Sequence, residues 1–407
     1  MQLTKRAFMA TAAALAVPLP ALAIPVATPL TLPPPITPSE RLARINKAQR
    51  LMRSSGIGAL LIEPGSSLDY FTGVQWWRSE RMTVALIPAE GTPCIVTPAF
   101  EEPSVRESLR VPAEVRVWNE HTSPSEIAAG FLRDRKVTGA LGVEETVRAF
   151  VMNGVASASG LTPVSANPVV RGCRMIKSPA ELALMQAAAD ITIGAFRAVH
   201  PQITAGMTPD DIDTLITAET RKLGGQADGG LVLLGEASAY PHGSHKPQAV
   251  REGDVVLLDC GCSVGGYQSD ISRTFVFGEP SKAQRLMWEQ VRRGQAVAFG
   301  AAKLGAPAGS VDDAVRAYYE PLGYGPGYQL PGLPHRTGHG IGMDGHEPVN
   351  FVHGETTPLA PGMCFSNEPG LYRPGSFGIR LEDCLYMTDG GPRWFTVPPD
   401  SIDKPFG

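Results

Sequence analysis

Asp259, Asp270, His339, Glu368 and Glu382 each sit in a short distinctive segment: LLDCG, YQSDISRTF, HRTGHGIG, FSNEPG and GIRLEDC. If they act together, the fold must gather segments between positions 259 and 382 around one cavity. Three of the segments read as strands, where a period of two lets alternate side chains point to one face. A curved antiparallel sheet with the five residues on its inner face meets that demand. Four carboxylates and one imidazole suit Mn²⁺, Fe²⁺, Co²⁺ or Zn²⁺ better than a soft thiolate site would, and bridging carboxylates can hold two ions about 3.5–4 Å apart. Each residue alone has an ordinary reading. Asp259 could end a strand, Asp270 could cap a turn, and Glu382 could be half of a surface ion pair with Arg380. The joint pattern outweighs these.

The rest of the chain divides by pattern. Residues 24–38, IPVATPLTLPPPITP, are proline-rich and read as an extended linker. A first helix follows, with Ser39 as its N-cap, Leu42, Ile45, Ala48 and Leu51 at helical spacing and Gly56 as its stop. ALLIE, TVALIP and CIVTP read as strands of an α/β unit reaching about Val170. Helices are expected from Met175 to Val199, from Asp210 to Leu223 under a Thr208 cap, and from Ser281 to Lys303. Between and after them lie the strand segments DVVLLDCGC, TFVFG, MCFSNEPGLY and FGIRLEDCLYM. The formal net charge is −4, without a basic stripe or acidic tail, so no nucleic-acid partner is expected. The six cysteines read as buried free thiols. Cys260 and Cys262 lie two apart on one strand, and a Cys94–Cys173 bridge is not expected.

In these segments the chain resembles the creatinase/aminopeptidase P/prolidase family of metallopeptidases, which share the pita-bread fold. Asp270 follows Asp259 by eleven residues, His335, His339 and His346 reproduce a triple-histidine spacing, and His242 in AYPHG precedes Asp259 by seventeen. The resemblance runs from about Ser39 to Met387. It implies an α+β protein: a smaller α/β creatinase-like N-terminal domain over 39–172, then a pita-bread catalytic domain over 173–407.

The resemblance also implies site roles. Asp259 would bind one divalent metal, His339 and Glu368 the other, and Asp270 and Glu382 would bridge, with Mn the first candidate and Fe, Co or Zn the alternatives. Glu368 would double as proton acceptor. His242 and His346 would hydrogen-bond the developing oxyanion and pass a proton to the leaving nitrogen. His335, Arg336 and Arg380 would contact substrate. Arg336 replaces the family's usual small residue, and it could clamp a substrate carboxylate or face solvent. Trp76, Trp77 and Arg81 in GVQWWRSERM could reach the site mouth, or pack in the core and at the domain interface. The implied activity is hydrolysis of the bond before proline in a peptide substrate, with a homodimer expected. The alternatives are a same-fold lyase or creatinase-like enzyme, or a silent binding module. The family's dimethylsulfoniopropionate lyases carry an Asp two residues after the first ligand, where this chain has Gly261.

The N-terminus reads as an export signal. Lys5-Arg6 precede an apolar run from Ala7 to Pro20, and Ala21-Leu22-Ala23 forms a small-x-small cleavage site, with TKRAFM resembling a twin-arginine signal. The run is too short to span about 30 Å of hydrocarbon, and no stable anchor is expected later in the chain. Export to the periplasm or medium predicts a mature protein beginning near Ile24. Edman sequencing of protein from a Gram-negative host's periplasmic fraction checks this, and an intact Met1 there would contradict it.

Overall fold

The computed structural model describes residues 30–406, so the expected signal lies outside the described residues. Positions 30–37 carry no regular structure. Pro38 opens the helix Pro38–Ser54, and its cap is Thr37, two residues earlier than the expected Ser39. A residue before proline is pushed toward extended backbone, and Thr37 at φ −77°, ψ 156° therefore takes the capping role. Leu42, expected in the core, is 38% exposed, whereas Ile45 and Ala48 are buried.

Capping boxes start four helices: Thr37 with Glu40, Ser178 with Glu181, Thr208 with Asp211 and Ser281 with Gln284. Each satisfies two backbone N–H groups that the helix itself cannot. These caps place Pro179–Val199, Pro209–Leu223 and Lys282–Ala301 close to the expected spans. The helix Gly309–Tyr319 was not expected. Ala308 offers no side-chain cap, and the helix turns an Asp312–Arg316 ion pair inward, which breaks its apolar periodicity.

The N-terminal unit is a mixed six-stranded sheet in the order Glu114–Trp118, Cys94–Pro98, Val84–Pro88, Ile57–Ile62, Ala140–Val143, Pro163–Ser165. The strand Ile57–Ile62 is buried throughout and serves two cores, Leu60 and Ile62 facing one and Ala59 and Leu61 the other. That split follows from the two-residue period of a strand.

The C-terminal unit is built from antiparallel sheets. Gln226–Leu234, Val255–Val264 and Ile271–Val276 form one. Glu347–Phe351, Gly338–Gly340, Cys364–Asn367, Asp383–Thr388 and Gly391–Trp394 form another, with a separate hairpin of Gly370–Tyr372 and Gly378–Arg380. Helix Pro179–Val199 packs with Val256, Leu258 and Phe275 of the first sheet. Lys282–Ala301 and Gly309–Tyr319 pack with Phe365 and Leu385 of the second. Pro179–Val199 with its following turn is apolar and long enough to cross a membrane by composition, but Leu184, Ala188, Ile191 and Phe196 lie in the core. All six cysteines are buried free thiols, as expected.

A buried ionic network ties the two units together. Arg174 reaches Asp344 at 2.7 Å and Glu347 at 2.5 Å, Lys177 reaches Glu347 at 3.0 Å, and Arg174 also donates to Ser66 and Ser67. Burial alone would push the Glu347 carboxyl up, but Lys177 and Arg174 outweigh it and hold it at about 2. A depressed carboxyl contributes stability that is present above its ordinary 4.5 and lost as pH falls toward 2. Glu347→Gln should cost about 3 kcal/mol at neutral pH by leaving buried Lys177 without a carboxylate and Arg174 with Asp344 alone. It should also flatten the acid limb of the stability curve between those pH values, as measured by urea unfolding.

Candidate metal centre

The first two carboxylates sit on one antiparallel pairing. Asp259 lies in strand Val255–Val264, directly opposite Ser272 of strand Ile271–Val276, and Asp270 is the residue just before that second strand. Gly261 explains why the pairing closes so tightly. A Cβ there would lie 2.0 Å from the Ser269 carbonyl oxygen, so no side chain fits unless the hairpin opens. His339 comes from Gly338–Gly340, Glu368 follows Cys364–Asn367, and Glu382 immediately precedes Asp383–Thr388.

These residues converge into three groups whose potential ligand atoms lie within 4.8 Å of one another: Asp259, Asp270 and Glu382; His339, Glu368 and Glu382; and Asp270, His339 and His346. Asp270 and Glu382 each belong to two groups. His346, expected beside the centre rather than in it, stands within reach of Asp270 and His339, its ring 3.9 Å from that of His339.

The donor set fits divalent cations. Nδ1 of His339 lies 3.0 Å from the Gly340 carbonyl, which can only accept, so the ring proton sits on Nδ1. Burial, with help from His346, pushes the imidazole down to about 3 and keeps it neutral. Its bare Nε2 then faces Glu368 Oε1 at 3.3 Å and Asp270 Oδ2 at 3.6 Å. A nitrogen lone pair surrounded by carboxylate oxygens is repulsive unless a cation lies among them. Burial, then neighbouring carboxylates, also pushes Asp270, Glu368 and Glu382 well above the ordinary carboxylate range. Glu382 Oε1 is buried with no hydrogen-bond partner among the described residues.

Protein groups hold these ligands in place. Ser272 Oγ lies 3.0 Å from Asp259 Oδ1 and 2.7 Å from Glu382 Oε2. Arg273, fully buried against Asp383, donates to the Glu382 carbonyl at 2.8 Å. Sequence reasoning passed over Ser272, Arg273, Asp383 and Tyr372. The two-residue strand period from Asp270 to Ser272 was the available signal for the first.

The expected substrate residues have definite places. Arg380 is buried and paired with Asp259 at 2.5 Å, and it donates to Ser272, Pro241 and Tyr372. Its partner is thus Asp259 and not Glu382. Tyr372 relays this to His335, whose Nε2 accepts from the phenol at 2.9 Å while Nδ1 donates to the Arg336 carbonyl. Burial, then the Arg380 charge, pushes His335 down to about 3, so it is a neutral ring with both nitrogens engaged.

Arg336 donates to Asn350 Oδ1 at 3.1 Å and to His346 Nδ1 at 3.0 Å. A guanidinium only donates, so His346 carries its proton on Nε2, and burial followed by Arg336 lowers its pKa. His242 is exposed and close enough for its charge to bear on both His335 and His346. Trp76 and Trp77 stack at 4.8 Å and line a cavity shared with Arg336 and His346. Arg81 instead pairs with Glu120 and lines a separate pocket.

Residues 183–389 match the metallopeptidase family M24 model, and residues 44–176 match the creatinase/prolidase N-terminal domain. The chain is 31% identical over 361 residues to an Xaa-Pro dipeptidase of Lactobacillus helveticus, covering 86% of this chain and 96% of that protein. It superposes on dipeptidase PepE from Mycobacterium ulcerans with a TM-score of 0.82 at 30% identity, covering 90% of this chain and 98% of the other. A prolidase from Thermococcus sibiricus gives 0.80 at 29% identity, covering 88% and 97%.

Two expectations follow from the geometry. Added Mn²⁺ should raise the melting temperature of chelator-treated protein, because a cation that binds only the folded state stabilises it by about 2.7 kcal/mol at a hundredfold excess over Kd. Asp270→Ala should abolish that rise in differential scanning calorimetry. Gly261→Ala should lower stability by roughly 1–3 kcal/mol through the clash with Ser269, measured in the same way.

Proposed function

This chain belongs to metallopeptidase family M24, with a creatinase/prolidase N-terminal domain ahead of the peptidase region, and we propose that it is an exported, dinuclear hydrolase of the bond preceding proline. The observation that carries the dinuclear reading is that, among the described residues, Asp270, His339 and Glu382 are each shared between two ligand groups, and of these only the carboxylates have two oxygens with which to meet two ions. Asp259 would hold one ion, His339 and Glu368 the other, and the shared Asp270 and Glu382 would serve both. Mn²⁺ is the first candidate, because carboxylate oxygens dominate the donor set. Similarity to proteins named Xaa-Pro dipeptidase and prolidase supports the substrate.

Divalent ions held there supply Lewis acidity, lowering the pKa of water and polarising the scissile carbonyl. The chain's own residues do the rest. Glu368 accepts the water proton, its basicity raised by burial and opposed by the charge of a bound metal. His346, oriented by Arg336, presents Nε2–H to the oxygen on which negative charge develops. The prolyl nitrogen, like any amide nitrogen, must gain a proton to leave as an amine. We assign its delivery to exposed His242. Arg380 and Tyr372 hold Asp259 and His335 rather than meeting substrate.

Gly261 weighs against the lyase alternative, since an Asp at that position would strike the Ser269 backbone. Export and a homodimer belong to the same proposal, supported by the N-terminal signal pattern for the former and by family resemblance for the latter.

Metal-reconstituted protein should cleave Gly-Pro or a longer Xaa-Pro peptide and leave creatine and dimethylsulfoniopropionate intact. Turnover of either non-peptide alone would displace the reading. His346→Ala should retain its metal by elemental analysis while kcat falls about 10²–10⁴-fold, the usual range for a lost acid–base or oxyanion group.

A further inference from the structure

A cavity of about 750 Å³ lies between the two units and borders the candidate metal centre at His346. Its N-terminal wall carries the stacked Trp76–Trp77 pair and Arg78, and its C-terminal wall carries Arg336 and Asn350. The charges that line it do not cancel. Arg174 is matched by Asp344 and Glu347, the latter also held by Lys177 from outside the lining, and Arg171 is matched by Glu145 at 2.5 Å. Arg78 donates only to neutral oxygens, the Pro64 carbonyl at 3.1 Å and Thr146 Oγ1 at 2.5 Å. Arg336 likewise meets only Asn350 and His346. Among the described residues neither forms an ion pair.

Two guanidinium groups without a carboxylate on opposite walls of one cavity make it selective for an anion. In a substrate cut before proline, the proline ring is short and apolar. The C-terminal carboxylate of a dipeptide is fixed one bond from that ring, so the charged group with reach of its own into so large a space is the side chain of the preceding residue.

We propose that this cavity receives that side chain and favours an acidic one, with Arg78 as a specificity-determining residue; the assignment of the side chain rests on the Xaa-Pro reading above. Glutamate at that position should therefore be preferred over glutamine, which has the same shape and no charge. Guanidinium recognises a carboxylate through paired donors, and the gain is screened by salt because Arg78 is exposed.

The test uses the full metal-loaded chain and reduced-bond analogues of Glu-Pro and Gln-Pro, in which a methylene replaces the scissile carbonyl, titrated calorimetrically. The Glu analogue should bind about tenfold tighter, equal to about 1.4 kcal/mol, and the ratio should shrink as salt is raised. Arg78→Met should bring the ratio close to one, and Arg78→Lys should keep most of it, which a merely structural role for Arg78 would not do. Equal affinities in the unmodified protein, or an unchanged ratio in Arg78→Met, would overturn the proposal. Because the analogues are not cleaved, a charge preference that persists while Gly-Pro goes uncleaved supports the cavity's anion selectivity and counts against the peptidase reading alone.

Discussion

Mutual repulsion among buried carboxylates is the constraint around which the C-terminal unit is organised. Asp259, Asp270, Glu368 and Glu382 stand close enough that neighbouring negative charge raises the carboxyls of the last three, after burial has already done so. A chain can keep such a cluster charged only by surrounding it with fixed cations or by binding mobile ones. Among the protein cations, Arg380 is committed to Asp259, and Arg273 is committed to Asp383, one residue beyond Glu382. The neutral His339 ring adds a lone pair and not a positive charge. What remains is a demand for divalent cations, which is how a structural strain becomes a catalytic resource.

That demand explains the rigidity of the surrounding elements. The glycine at 261 lets two strands approach until the backbone of Ser269 occupies the space of a side chain, which sets Asp259 and Asp270 side by side. Ser272 and the buried Arg273–Asp383 pair then hold Glu382 against them. Deviation by a fraction of an ångström would separate the shared carboxylates, so the positioning groups are as necessary as the ligands.

The N-terminal unit contributes through the interface. Arg174 and Lys177 hold Glu347, the residue after His346, and the same contact region forms the floor of the cavity between the units. Packing, charge balance and the shape of the cavity are therefore one problem. An ion pair that secures the interface also decides which arginines are left free to meet a ligand.

Much of this was legible in the chain itself. Caps at Ser178, Thr208 and Ser281 mark helix starts because capping depends on residues three apart, and the strands with Asp259 and Glu382 announce themselves by apolar runs beside a lone carboxylate. The five ligand segments, their order and the family they indicate needed no coordinates. Local pattern failed where the deciding partner lay far along the chain. Helix Gly309–Tyr319 was hidden because its inward Asp312 and Arg316 are satisfied by each other and by groups near Thr337 and His335. Only the tertiary structure paired Arg380 with Asp259, turned Arg336 onto His346 and so chose that ring's tautomer, and left Arg78 facing a cavity without a carboxylate. Spacing along a chain governs what neighbours can do for one another. Protonation, tautomer and free charge are set by what packs nearby in space, and here those neighbours lie from 10 residues away, for Arg336 and His346, to 121, for Arg380 and Asp259.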